Sequence, residues 1–146
     1  EVVEETLIST YGSVELTKEE EATPPPAVEG KKVLIIEDEI KLAASIKQYL
    51  ELKGFIGYMA HTGEEGLDAV DKYRPDAIIT DVMMPRMDGY SMIRELKRRG
   101  EKIPVMVLTA KEQLKDLIEM EGVDVFITKP FDIATLENKL REVLAR

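Results

Sequence analysis

Four short apolar runs in this chain end on residues that could do chemistry together. Val33-Leu34-Ile35-Ile36 runs into Glu37 and Asp38, Ala77-Ile78-Ile79-Thr80 into Asp81, Val105-Met106-Val107-Leu108 into Thr109, and the run from Val123 to Thr128 into Lys129. If these runs are strands lying side by side, three carboxylates, a hydroxyl and an ammonium converge on one edge. Carboxylates that close repel one another, and the usual remedy is a hard cation. Carboxylate oxygens together with water suit Mg2+, which prefers a near-octahedral oxygen shell. Lys129 would bring a positive charge, and Thr109 a hydroxyl donor, to a phosphoryl group held beside that cation. Taken singly, each residue has a plainer use. An Asp, Glu or Thr after a strand is commonly a helix N-cap, and a lone Lys is commonly solvated. Complementary groups at four separate strand ends point instead to phosphoryl transfer.

The elements that must position these residues alternate between two periodicities. Each apolar run is short, continuous and rich in β-branched residues, as strands buried on both faces are. Between the runs lie helical stripes: Leu42, Ile46, Tyr49 and Leu50 up to Gly54, Leu67 and Val70 after a capping Thr62, and Ile93 and Leu96 up to Gly100. Leu114, Leu117 and Ile118 suggest a short helix up to Gly122, and Leu136, Leu140, Val143 and Leu144 make a last stripe to the C-terminus. Phe55 to Ala60 reads as one more strand. Five strand–helix units with helices of this length imply right-handed crossovers and a parallel sheet. The fold class is therefore α/β: a doubly wound, three-layer sandwich around a five-stranded parallel sheet. Ligands of such sheets bind outside the carboxyl ends of the strands, where the chemistry-bearing residues lie.

Composition narrows the possibilities further. The chain has 146 residues, 34% of them charged and 44% apolar, which fits one globular domain with a short appendage. It has no cysteine, which excludes disulfides, thiolate chemistry and zinc-thiolate sites and fits a cytoplasmic protein. No apolar run approaches the roughly 18 residues of a membrane helix, and no secretory signal opens the chain. A net charge of −9 and the absence of Trp argue against direct nucleic-acid binding. Charge is unevenly spread: residues 1–30 hold eight acids and one base, Lys18, and end in Pro24-Pro25-Pro26 and Gly30. We read residues 1–30 as an acidic arm with a stiff proline-rich linker, an upstream domain's tail being an alternative, and residues 31–146 as the domain. Within the arm, Thr6 to Tyr11 and Val14 to Leu16 flank Gly12-Ser13 and could pair as a hairpin. The chain opens on Glu1 rather than Met and is expected to be an excerpt or a processed form.

Residues 31–146 closely resemble the receiver domain of two-component response regulators, similar in fold to the chemotaxis response regulator. The motifs that carry the resemblance run the whole length: VLIIEDE at 33–39, DAIITDVMMPRMDGYSMI at 76–93, IPVMVLTAK at 103–111 and DVFITKPF at 124–131. The resemblance implies a flavodoxin-like sheet of order 2-1-3-4-5. It implies that Asp81 is the phospho-acceptor, taking a phosphoryl group from a histidine kinase or a small acyl phosphate. Asp38 would be a direct Mg2+ ligand, Glu37 would act mainly through water, and Met83 would offer its backbone carbonyl. Lys129 and Thr109 would stabilise the phosphoryl oxygens, Thr109 and Phe126 would form the switch pair, and Pro130 would follow a cis bond. Such a domain is not an enzyme acting on a separate substrate; it catalyses its own phosphorylation and slow dephosphorylation. Its expected partners are a sensor histidine kinase or phosphotransfer protein and a downstream protein that the sequence does not name. Neither nucleic acid nor membrane is expected, and a dimer is left open.

Some residues depart from the commonest pattern of that family. Glu37 stands where Asp is more frequent, and Phe126 where many members carry Tyr, so no hydroxyl is offered there. The stretch 110–121 is short, which implies a trimmed helix or loop before Gly122. A haloacid-dehalogenase-type hydrolase also uses an Asp nucleophile with Mg2+, but its D-x-D-x-T pattern after the first strand is absent from EDEIK at 37–41. A receiver-like scaffold without phosphorylation is disfavoured by intact Asp38, Asp81, Thr109 and Lys129. His61, the single histidine, lies in a strand-to-helix loop and is expected to be solvated; Met83, Met84, Met87 and Met92 are expected to pack. No output module is expected after the last helix, and output is expected through protein contact or an upstream domain.

Overall fold

A computed structural model describes residues 29–82, 89–110 and 122–146. Chain order among them is β1 (Lys32–Ile36), α1 (Ile40–Leu52), β2 (Ile56–Ala60), α2 (Gly63–Tyr73), β3 (Ala77–Asp81), α3 (Gly89–Arg98), β4 (Val105–Ala110), β5 (Val125–Lys129) and α4 (Ile133–Leu144). The five strands form one sheet in the order β2-β1-β3-β4-β5, and every neighbouring pair is parallel. The doubly wound α/β sandwich and its strand order are thus as the sequence implies. The short helix expected before Gly122 and nearly all of the expected acidic arm lie outside the described residues.

Side chains alternate across a strand, so each apolar run feeds two cores. Val33 and Ile35 of β1, Ala77 and Ile79 of β3, and Met106 and Leu108 of β4 face one layer. There α1 inserts Ala43, Ile46 and Leu50, and α4 inserts Leu136, Leu140 and Val143, at spacings of three and four that make one helical face. Leu34, Ile36, Ile78, Val105 and Val107 face the other layer, against Leu67 and Val70 of α2 and Met92, Ile93 and Leu96 of α3. β3 is central and buried along its whole length, which is why its text has no polar residue before Thr80. The two outer layers are what make continuous apolar strands stable here.

Polar groups fix where the elements begin. Thr62 caps α2, its hydroxyl accepting from the Glu65 amide at 3.0 Å. Asp132 caps α4 through the Ala134 amide. Asp76, just before β3, accepts from the Lys32 amide with its carboxylate and donates its own amide to the Lys32 carbonyl, both at 2.7 Å. Asp124 does the same to Val105 from the start of β5, both at 2.8 Å. These two aspartates set the amino ends of neighbouring strands level, and level starts with strands of five or six residues give level carboxyl ends.

α1 and α4 are joined over the sheet by Tyr49, whose hydroxyl donates to Glu137 at 2.8 Å. Glu137 is itself paired with Arg141 one turn on. None of the described helices is long and apolar enough to cross a membrane.

Candidate functional site

The carboxyl edge of the sheet brings together residues far apart in the chain. Glu37 is the first residue past β1, Asp81 ends β3, Thr109 is the penultimate residue of β4, and Lys129 ends β5. The Lys129 ammonium is 2.8 Å from Asp81 Oδ2 and 3.6 Å from Glu37 Oε1. A carboxylate oxygen from each of Glu37, Asp38 and Asp81 lies within 4.8 Å of the others. Glu37 and Asp81 are buried, whereas Asp38 is exposed at the rim.

Local structure explains this placement. The strands stop at the carboxyl edge where polar side chains succeed apolar ones, and past β1, β2 and β5 the chain enters a helix within a few residues. The Glu37 amide still donates to Ala60 at the end of β2, so the chain is held until the acidic pair begins. The Thr80 hydroxyl donates to the Asp81 carbonyl at 2.8 Å. Gly89, the first residue of α3, packs so close that an added Cβ would sit 2.5 Å from the Asp81 carbonyl oxygen and 2.6 Å from the Val82 Cα. Only glycine lets α3 start against the end of β3. The Lys129–Pro130 peptide bond is cis.

Electrostatics mark Glu37 as the group under most stress. Burial pushes its carboxyl up to about 7, and the neighbouring charge of Asp81 adds to this, while the Glu39 amide and Lys129 oppose it. One Glu37 oxygen accepts from the Glu39 amide at 3.1 Å; the other, Oε1, is buried and has no hydrogen-bond donor. Lys129 is pulled both ways: burial disfavours its charge, but the hydrogen bond to Asp81 and the charges of Asp81 and Glu37 hold it above its ordinary value. Three carboxylates against one ammonium leave negative charge in excess, and the buried Glu37 Oε1 has that ammonium only at 3.6 Å, with no hydrogen-bond donor. This donor set fits a hard divalent cation.

Two further expected residues sit beside this cluster. Thr109 is buried, and its hydroxyl donates to the Ala110 carbonyl at 3.1 Å. Phe126 of β5 is half-buried and stands opposite Val107, two positions before the pair Thr109–Thr128, so it shares the sheet face of Thr109 and packs toward the α2–α3 core. Met83 lies outside the described residues, as do Met84 and Met87; Met92 is fully buried in the core, as expected for a packing methionine. His61 is only partly solvated, less than its loop position suggested. It is half-buried, and its Nδ1 lies 3.0 Å from the Glu37 carbonyl oxygen. Its sequence signal was confined to its position one residue past β2, and the contact depends on β1 and β2 ending level.

Comparison with known proteins agrees with this edge. The sequence model of the response regulator receiver domain matches residues 33–141. The response regulator MprA of Mycobacterium avium (strain 104) is 34% identical over 117 residues, which is 79% of this chain and 51% of that protein. The chain thus spans about half the length of the curated relatives it matches. The receiver domain of the Francisella response regulator 1452 superposes with a TM-score of 0.76 at 33% identity, covering 80% of this chain and 98% of that one. The receiver domain of the sensor histidine kinase PA1611 from Pseudomonas aeruginosa PAO1, solved with a magnesium ion coordinated in its active-site cleft, gives a TM-score of 0.70 at 27% identity, covering 80% and 99%. A five-stranded sheet of this order, an acidic cluster at its carboxyl edge and a family match across three quarters of the length converge: the chain belongs to the response regulator receiver domain family.

Proposed function

We propose that this domain is a phospho-accepting switch of two-component signalling and that Asp81 takes up the phosphoryl group. The observation that carries the reading is the Lys129 ammonium on Asp81 at 2.8 Å, next to a buried Glu37 oxygen with no donor. An Asp81 oxygen attacks the phosphorus of a phosphohistidine or a small acyl phosphate. A bond forms between that oxygen and phosphorus, the bond from phosphorus to the donor breaks, and an acyl phosphate remains on Asp81. Lys129 is already aimed at the acceptor, so its charge meets the phosphoryl oxygens as negative charge moves onto them. Burial of Asp81 and Glu37 keeps bulk water out and strengthens these interactions.

Mg2+ would be held by Asp38 and Asp81, with Glu37 close enough to act through water and the Met83 carbonyl completing the set; it supplies charge neutralisation for the incoming phosphoryl oxygens. Thr109 lies on β4 one position past Leu108, the register partner of Asp81. When it turns from the Ala110 carbonyl toward a phosphoryl oxygen, it leaves room on the face it shares with Phe126. The Phe126 ring can then move inward without desolvating a hydroxyl, which shifts an equilibrium between existing states. The donor is a histidine kinase or phosphotransfer protein, the reader of the switch is another protein, and the setting is the cytoplasm.

The test is incubation of the chain with a small acyl phosphate and Mg2+, read by intact mass. A single stable phosphoryl adduct, absent in Asp81→Asn and absent with chelator, is expected. Continuous turnover of the donor without an adduct would indicate a hydrolase, and no reaction would indicate a scaffold.

A further inference from the structure

The loop residue His61 is tied to the acidic pair in a way the proposed chemistry does not yet use. Its imidazole Nδ1 is 3.0 Å from the carbonyl oxygen of Glu37. A carbonyl only accepts, so the hydrogen bond requires the proton on Nδ1; with the proton on Nε2 alone, two lone pairs would face each other. The same Glu37 residue gives its amide to the Ala60 carbonyl at 3.0 Å. Both polar backbone atoms of Glu37 are therefore held by the end of β2 and the residue that follows it.

His61 is held in turn. Its own amide donates to the Glu65 carboxylate at 2.8 Å, while the Glu65 amide donates to the capping hydroxyl of Thr62. This reciprocal pair locks the first turn of α2 onto the residue that carries the imidazole. A chain of hydrogen bonds thus runs from the α2 N-terminus through His61 to the backbone from which the Glu37 and Asp38 carboxylates hang. Glu37 and Asp38 lie beyond the last residue of β1, and the Glu37 amide keeps one bond to the sheet, at the Ala60 carbonyl. The imidazole adds a second restraint, on the Glu37 carbonyl.

We propose that His61 is a positioning residue of the Mg2+ and phosphoryl site: by donating from Nδ1 to the Glu37 carbonyl, it fixes the orientation in which the acidic pair meets the cation. This rests on the reading of the site as an Mg2+-dependent phospho-acceptor. It assigns His61 neither a ligand nor a proton-transfer role. Loss of an outer hydrogen bond to a metal site commonly weakens the metal by about 10- to 100-fold, and transmission through the backbone places His61 at the lower end.

His61 is the single histidine of the chain, so one imidazole signal reports on it. The first measurement is a long-range 15N–1H correlation of the full chain at about pH 8.5, well above the ordinary imidazole value near 6.5. The Nδ1-protonated tautomer is expected; an Nε2-protonated ring overturns the proposal. The second is the Mg2+ dissociation constant by calorimetry, beside the melting temperature, for wild type, His61→Asn and His61→Leu. The Asn amide can donate from the position of Nδ1, whereas Leu keeps bulk without a donor. His61→Leu should bind Mg2+ about tenfold more weakly, and His61→Asn should stay close to wild type. A His61→Leu protein that melts lower but binds Mg2+ like wild type has lost only a structural contact, which overturns the proposal. Wild type that binds no Mg2+ overturns the underlying site reading as well, and the tautomer result distinguishes that case from a missing His61 contact.

Discussion

At the scale of single residues, the Glu37 carboxylate has one oxygen on the Glu39 amide and the other buried without a donor. A neutral isostere keeps the first contact and removes the repulsion with Asp81. Glu37→Gln should therefore stabilise the metal-free chain, by on the order of 1 kcal/mol for relief of a poorly compensated buried charge. The same change should remove much of the stabilisation that Mg2+ gives, and urea unfolding with and without Mg2+ reads both effects. Lys129 answers a different question. Its side chain is 31% exposed, so it contributes less to stability than a fully buried partner would. In the proposed reaction its charge meets the incoming phosphoryl oxygens, so Lys129→Ala should slow phosphorylation by about a hundredfold, the usual cost of losing one preorganised positive partner. The rate of adduct formation checks this. These residues were legible in the sequence because each follows an apolar run, and a strand's end is where a doubly wound sheet exposes side chains to a ligand. His61 was not legible, because its partner is a backbone carbonyl, which any residue provides.

At the scale of elements, the start of α3 packs directly on the end of β3. An added methyl at Gly89 meets the backbone of Asp81 and Val82 at 2.5 and 2.6 Å, and neither atom can swing aside. At Gly66 the nearest atoms, Ile36 Cδ1 at 2.7 Å and Met92 Sδ at 3.0 Å, are ends of flexible side chains. Gly89→Ala should therefore cost about 2–3 kcal/mol, at the upper range for overpacking, and displace Asp81 from Lys129. Gly66→Ala should be milder, because helix propensity returns up to about 1 kcal/mol against the crowding. Denaturation midpoints of the two variants test the contrast, and only Gly89→Ala should also lower the phosphorylation rate. The helices and strands themselves were readable from periodicity, as at Leu136, Leu140 and Val143. What joins them was not. The Tyr49–Glu137 hydrogen bond spans 88 positions, and the paired bonds of Asp76 to Lys32 and of Asp124 to Val105 depend on which strands become neighbours. Nothing local in the sequence distinguishes a turn aspartate from one that, like Asp76, levels two strands.

At the scale of the whole molecule, the sheet gathers acids from β1 and β3 and a lysine from β5 on one edge, at the expense of mutual repulsion. A ligand that binds only the folded chain stabilises it by RT ln(1 + [L]/Kd), about 2.7 kcal/mol at a hundredfold excess over Kd. Mg2+ should raise the melting temperature accordingly, and Asp38→Ala should flatten the response while leaving the metal-free melt near that of wild type, because Asp38 is exposed at the rim. Thermal melts across a millimolar Mg2+ series measure it. The strand order was implied by motifs shared with a known family rather than by any local pattern, and parallel pairing across all five strands agrees with it.

The central claim is that Asp81, and no other carboxylate, carries the phosphoryl group. The most direct measurement is reductive trapping: the chain is treated with a small acyl phosphate and Mg2+, reduced with borohydride, digested and sequenced by mass spectrometry. An acyl phosphate on an aspartate is reduced to homoserine, so the account predicts homoserine at position 81 and unmodified Glu37 and Asp38. Reduction at either of those residues instead, or an intact Asp81 in a chain that has gained phosphoryl mass, would contradict it.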